Sequence, residues 1–128
     1  MGTLVTIAAV AVLALAASGA ANPQAKLGAK CPKGVLAIMG TNPIGAATEA
    51  ALRRVPAKDE PQVRGALLAL SDPLRGAQVR KQCGFPVAGR TIVVYILRRA
   101  YLPAQSASQG VYFVSRFPAG YRVWQIAH

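Results

Sequence analysis

The stretch RTIVVYILRR, Arg90 to Arg99, runs from Ile92 to Leu97 without a polar interruption. A strand with one wet face alternates apolar and polar residues. One that is apolar on both faces is a central strand covered on each side. The run is rich in β-branched residues and too short for a buried helix, so it predicts a sheet interior over 90–99 with helices packed against it. The rest of the chain is read outward from that strand.

Downstream lies SQGVYFVSRFPAGYRVWQIAH, Ser108 to His128, which holds five of the eight aromatic residues and no acid. FPAGY suits a three-residue hairpin loop with Gly120 in the left-handed conformation. Pairing Phe117 with Tyr121 then sets Val114 against Trp124 and Tyr112 against Ile126 on one side of the ribbon. Phe113 faces Gln125 and Ser115 faces Val123 on the other. The aromatic residues are read as cross-strand core packing, with Trp124 beneath the helices. The same register places Arg116 directly across from Arg122, a like-charge pair. Either both guanidinium groups splay into water, or an anion sits between two planar forks.

Upstream, Asn42-Pro43 opens a helix, since asparagine caps and proline is tolerated in the first turn. Ile44, Ala47, Ala51 and Val55 form its inner stripe, and Pro56 ends it. A second helix is predicted from Asp59, with Gln62 completing a capping-box pattern and Val63, Leu67, Leu70 and Leu74 as its stripe. Ser71-Asp72-Pro73 stops or restarts it. AQVRKQC, residues 77–83, alternates Ala77, Val79 and Cys83 against Gln78, Arg80 and Gln82, as a half-exposed strand does. GFPVAG reads as a turn. The expected fold class is α+β: two N-terminal helices packed on a four-stranded antiparallel meander, occupying residues 41–128.

The N-terminal run LVTIAAVAVLALAASGAAN reads as an export signal over residues 1–21, with small residues at Ser18 and Ala20 for cleavage. It lacks the usual basic start, the first charge being Lys26. An uncleaved anchor is the alternative, for which the run is marginal in length. Residues 22–40 are expected to form a flexible segment tied down at Cys31. Outside the membrane thiols are not kept reduced, so Cys31 and Cys83 are expected to form a disulfide.

The net charge is +11, and no Asp or Glu follows Asp72. Such a balance is an electrostatic footprint for an anionic partner. Export points away from nucleic acid and toward an anionic cell-envelope polymer or an acidic membrane surface. Arg116 and Arg122, with Arg98 and Arg99, are the candidate anion-binding residues. Arg53-Arg54 and Arg80-Lys81 extend that surface.

For catalysis the chain has little to offer. Its one histidine is His128, and its four carboxylates all precede the predicted central strand. Ser106 and Ser108 in QSASQG form no nucleophile elbow. Metal-ligand spacing, a phosphate-cradling glycine loop and a dinucleotide fingerprint are missing, so no metal and no cofactor is expected and the protein is read as a non-enzyme.

The Ala/Arg-rich chain, with a helix pair followed by CGFPVAGRTIVVYILRRAYLPAQSASQGVYFVSRFPAGYRVW, resembles small exported proteins of unassigned function from high-GC actinobacteria. In architecture it is similar to the cystatin-like and NTF2-like folds. The first resemblance transfers no chemistry. The second implies two further readings, a small apolar ligand in an NTF2-like pocket or, more weakly, cystatin-like protease inhibition. For the latter, FPVAG offers Val87 and Gly89 in matching places but Phe85 where the inhibitory motif has glutamine.

Overall fold

A computed structural model describes residues 30–33, 36–105 and 108–128. The expected export signal at 1–21, and residues 22–29 of the segment after it, lie outside them. The described chain is α+β. Its four strands are β1 (Pro61–Leu68), β2 (Thr91–Arg98), β3 (Gln109–Phe117) and β4 (Gly120–Ala127), joined as one antiparallel sheet in the order β1-β2-β3-β4. Helix α1 (Pro43–Leu52) precedes the sheet, whereas α2 (Pro73–Cys83) and α3 (Phe85–Ala88) stand between β1 and β2.

Helix α1 begins where the sequence places it, with the Asn42 side chain accepting the Gly45 N–H at 3.3 Å. Two expectations exchange places further on. The segment predicted as a second helix from Asp59 is strand β1, and AQVRKQC, predicted as a strand, is most of α2. A glycine at position 65 costs a helix about 1 kcal/mol but is tolerated at an irregularity in an edge strand. Asp59 caps no long helix; it lies buried in a 3₁₀ turn at Ala57–Asp59 and faces Arg98. Asp72-Pro73 repeats the cap-and-proline opening of α1, and the Asp72 carboxylate accepts the Arg75 N–H at 3.0 Å. Val79, with Arg75, Gly76 and Cys83, then falls on one helical face, so the apparent two-residue alternation of 77–83 was part of a helical stripe. FPVAG turns as the short helix α3.

The doubly apolar β2 is covered on both faces, as its sequence requires. Ile92, Val94 and Ile96 pack with Tyr112 and Val114 against Ala47, Ala50, Ala51 and Val55 of the α1 region. Val93, with Val111 and Phe113, packs against Val79 and Ala88 of α2 and α3 on the other side. Full burial of each such aliphatic side chain contributes about 1.5–3 kcal/mol.

The hairpin differs in register from its predicted form. Phe117 pairs with Gly120, Arg116 with Tyr121, Ser115 with Arg122 and Val114 with Val123. Gly120 has φ of 131°, which its lack of a side chain permits, and the loop shortens to Pro118-Ala119. An extra residue, Trp124, is then absorbed as a bulge, after which Phe113–Gln125 and Tyr112–Ile126 pair as expected. Arg116 and Arg122 are therefore not opposite one another. Trp124 turns away from Val114 and packs beside Phe113, ring centroids 5.7 Å apart, on the α2 side.

Residues 36–40 lie along the turn end of the hairpin. The Ala37 N–H donates to the Arg116 carbonyl at 2.7 Å, and the Gly40 N–H to the Tyr121 hydroxyl at 3.0 Å. Ahead of them the Cys31–Cys83 disulfide joins the N-terminal segment to the end of α2, with Cα atoms 5.5 Å apart.

Candidate functional site: a cleft beside the start of α2

Asp72, just before α2, accepts the Tyr95 hydroxyl and Val79 within the helix packs with Val93, so α2 covers the Val93 end of its sheet face and leaves the Leu97 end open. Pro103, Ala104 and Gln105, in the connection after β2, lie over that open end. Between them lies a cleft of about 810 Å³, walled by Leu97, Val111, Pro103 and Ala104 and supplied with polar groups by Arg64, Arg75, Tyr95, Gln105, Gln109 and His128. Its size falls within the range of small-molecule sites.

The polar groups are held by bonds that can be followed atom by atom. One Asp72 carboxylate oxygen accepts the Arg75 N–H, and the other accepts the Tyr95 hydroxyl. The Arg75 side chain is buried, at 3% exposure, and its Nη1 donates to Gln78 Oε1 at 3.0 Å. Burial, and next the hydrogen bond to Asp72, hold the Tyr95 phenol well above the ordinary tyrosine range, although Arg75 pulls it the other way. The loop wall is fastened to itself: Gln105 Oε1 accepts the Leu102 N–H at 2.7 Å, and the Ser108 hydroxyl donates to the Pro103 carbonyl at 3.3 Å. The His128 ring contacts the Gln109 carbonyl at 3.0 Å through Nδ1.

Arg64 reaches the cleft through a second bulge. Val63 pairs with Ile96 and Gly65 with Tyr95, leaving Arg64 as the extra residue of β1. A bulge re-aims the side chain it carries, and this one sends an exposed guanidinium to the cleft mouth. Chemically the arrangement offers cations and N–H donors to a ligand, while the Asp72 carboxylate beside it accepts two hydrogen bonds. Among the described residues no group of three His, Cys, Asp or Glu side chains is placed to hold a metal ion.

The arginines singled out in the sequence are distributed differently. Arg98 is half-buried, donates to the Tyr112 hydroxyl at 3.2 Å and faces Asp59 at 3.8 Å. The Tyr112 bond is the chief cause that raises its guanidinium above the ordinary arginine value. Arg116 donates to the Ile38 carbonyl at 2.8 Å and so serves to hold the N-terminal segment. Arg122 is exposed and lies over the Phe117 ring, 4.9 Å from its centroid. Arg99 is exposed, its backbone N–H bonded to the Glu60 carbonyl. These four are not gathered at one place, Arg116 and Arg98 being committed to internal partners. Arg64, Arg75 and Tyr95 were not legible as a site. The Arg64-Gly65 pair within an apolar run was the available sign of a bulge, and Arg75 stands three residues after a capping aspartate. No protein-family model, curated protein or solved structure matches the chain.

Proposed function

We propose that the protein is an exported, non-catalytic basic domain whose exterior binds an anionic partner of the cell envelope. The observation that carries this reading is the sorting of charge between surface and interior. Lys30, Lys33, Arg53, Arg54, Lys58, Arg64, Arg80, Lys81, Arg90, Arg99 and Arg122 are exposed, whereas Glu49 and Glu60 are the only exposed acids among the described residues. The other two acids, Asp59 and Asp72, are buried against internal partners. Folding has hidden half of the small acidic complement and little of the basic one, which strengthens the positive field outside. The disulfide accords with an oxidising compartment. No helix among the described residues is long and apolar enough to cross a membrane.

Between a polymer and an acidic membrane surface, one feature favours the membrane. The layer formed by α2, α3 and the turn before them exposes Phe85 by 60%, Leu70 by 48% and Leu74 by 43%, and carries Arg80, Lys81 and Arg90. Apolar side chains flanked by cations are the combination that seats a protein at an anionic lipid interface.

The test is sedimentation of purified protein with vesicles of phosphatidylglycerol and phosphatidylcholine across a salt series. Binding is expected only with the acidic lipid and is expected to fall steeply with salt. The double substitution Arg80→Gln with Lys81→Gln should weaken it roughly 10- to 30-fold, each basic residue near such a surface contributing about 1 kcal/mol. Arg53→Gln with Arg54→Gln, on the α1 side, should do less. Equal losses would reduce the surface to diffuse charge. Binding to soluble polyglutamate but not to vesicles would move the assignment to a polymer, and binding to neither at low salt would end it.

A further inference from the structure

We propose that the cleft beside the start of α2 is a binding site for a small amphiphilic anion, its head met by Arg64 and Arg75 and its apolar stem lying on Leu97, Val111, Pro103 and Ala104. This goes beyond surface attachment, and the two ideas can fail separately.

Arg75 is the reason for an anion. Its side chain is almost wholly buried, yet the side-chain acceptor of its Nη1 is the neutral amide of Gln78. The ion pair found within 4.0 Å among the described residues is Arg98 with Asp59, so Arg75 has no carboxylate at that range. A buried cation is costly unless charge close by compensates it. Asp72 is near and keeps its charge while accepting from the Arg75 backbone N–H and the Tyr95 hydroxyl, but it is one negative charge beside a cleft lined by two guanidinium groups, Arg75 and Arg64. An anion entering the cleft would balance that excess of positive charge.

Arg64 is the second, independent feature. Strand β1 departs from regular pairing at this residue alone, and the departure turns its guanidinium toward the same cleft. The stem is read from the walls: the helix stops short of Leu97, leaving it half-buried beside Val111 under an exposed Pro103-Ala104 wall. A carboxylate and a phosphate monoester share the required head chemistry and are separated by the experiment.

Laurate, dodecyl phosphate, dodecanol and inorganic phosphate would be titrated by calorimetry below their aggregation concentrations. One equivalent of laurate or dodecyl phosphate should bind, the tighter of the two naming the head. Dodecanol and inorganic phosphate should each bind at least tenfold more weakly, lacking the charge or the stem. Arg64→Gln, at an exposed position, should weaken the anion about tenfold with no change in melting temperature, and Ala104→Trp should block it. Arg75→Gln should abolish the ligand-induced rise in melting temperature. Should Arg75→Gln fail to fold, the first two variants decide. Equal affinity for dodecanol and laurate would overturn the proposal, as would unchanged binding by Arg64→Gln and Ala104→Trp. An equal loss in Arg80→Gln with Lys81→Gln would also overturn it, since the anion would then be adsorbed by surface charge.

Discussion

At Ser115 a single hydroxyl links two strands and a helix end. The Trp124 indole N–H donates to Ser115 Oγ at 3.0 Å, Ser115 and Thr91 hydroxyls lie 3.1 Å apart, and the Thr91 hydroxyl donates to the Val87 carbonyl at 2.7 Å. An indole can only donate and a carbonyl only accept, so the ends of the relay fix the direction of both hydroxyls between them. Ser115→Ala should therefore cost about 1–2 kcal/mol in urea unfolding, since it strands the indole N–H. Thr91→Val with Ser115→Ala should cost less than the sum of the single changes. Tyr95 gives a prediction in pH. Its folded-state value lies above the unfolded one, near 10, so the folded protein retains a proton that the unfolded chain releases. The stability it contributes is complete below about pH 10 and is lost as pH rises through the folded value. Absorbance titration should show Tyr95 ionising well above the ordinary tyrosine range, and Tyr95→Phe should flatten the alkaline fall in stability. Residue identity alone could not reveal such pairings. Arg116 and Arg122 were legible as a hairpin-end pair only on a three-residue loop, and one residue of slip sends them to different partners.

Among the elements, α2 is placed by its close approach to the turn before it. A side chain at Gly76 would bring its Cβ within 2.0 Å of the Ala69 carbonyl oxygen, which is backbone and cannot swing aside. Gly76→Ala, stabilising in most helices, should here cost about 3 kcal/mol and raise hydrogen exchange in α2. The central strand, the first helix and the hairpin were legible because each carries a local mark: a doubly apolar run, an Asn-Pro opening, a Gly-containing turn. The exchange between β1 and α2 was not, because Val63, Leu67, Leu70 and Leu74 satisfy a helical period while the half-buried Leu67 and exposed Leu68 of the actual strand satisfy neither pattern cleanly. What settles the matter is non-local: β2 needs a partner on that edge, and β1 is the segment paired with it.

For the whole molecule, the Cys31–Cys83 bond closes a separation of 52 residues. In the chain-entropy view that contributes about 4 kcal/mol, a large share of the net stability of a domain this size. Reduction, or Cys31→Ser with Cys83→Ser, should lower the urea midpoint by an amount equivalent to about 2–4 kcal/mol, while the circular dichroism of the native state changes little. The pairing was legible from composition and compartment, as was the excess of cations. The cleft was not, since β1, α2, β2, the following connection and the last residue all contribute to it, and periodicity speaks only of neighbours in sequence.

Strands β1 and β4 are the two margins of the sheet, and each is interrupted by its own extra residue, Arg64 on one and Trp124 on the other. A straight, unpaired margin is a template on which another copy can zip, the first step toward fibres. A kinked one offers at most a few bonds in phase before the ladder is lost. The same irregularities that orient an arginine and a tryptophan thus give this protein two blunt margins. Deleting Arg64 would straighten one margin, and light scattering that grows with protein concentration should be the result; a deletion variant that stays monodisperse would show that charge alone keeps the molecules apart.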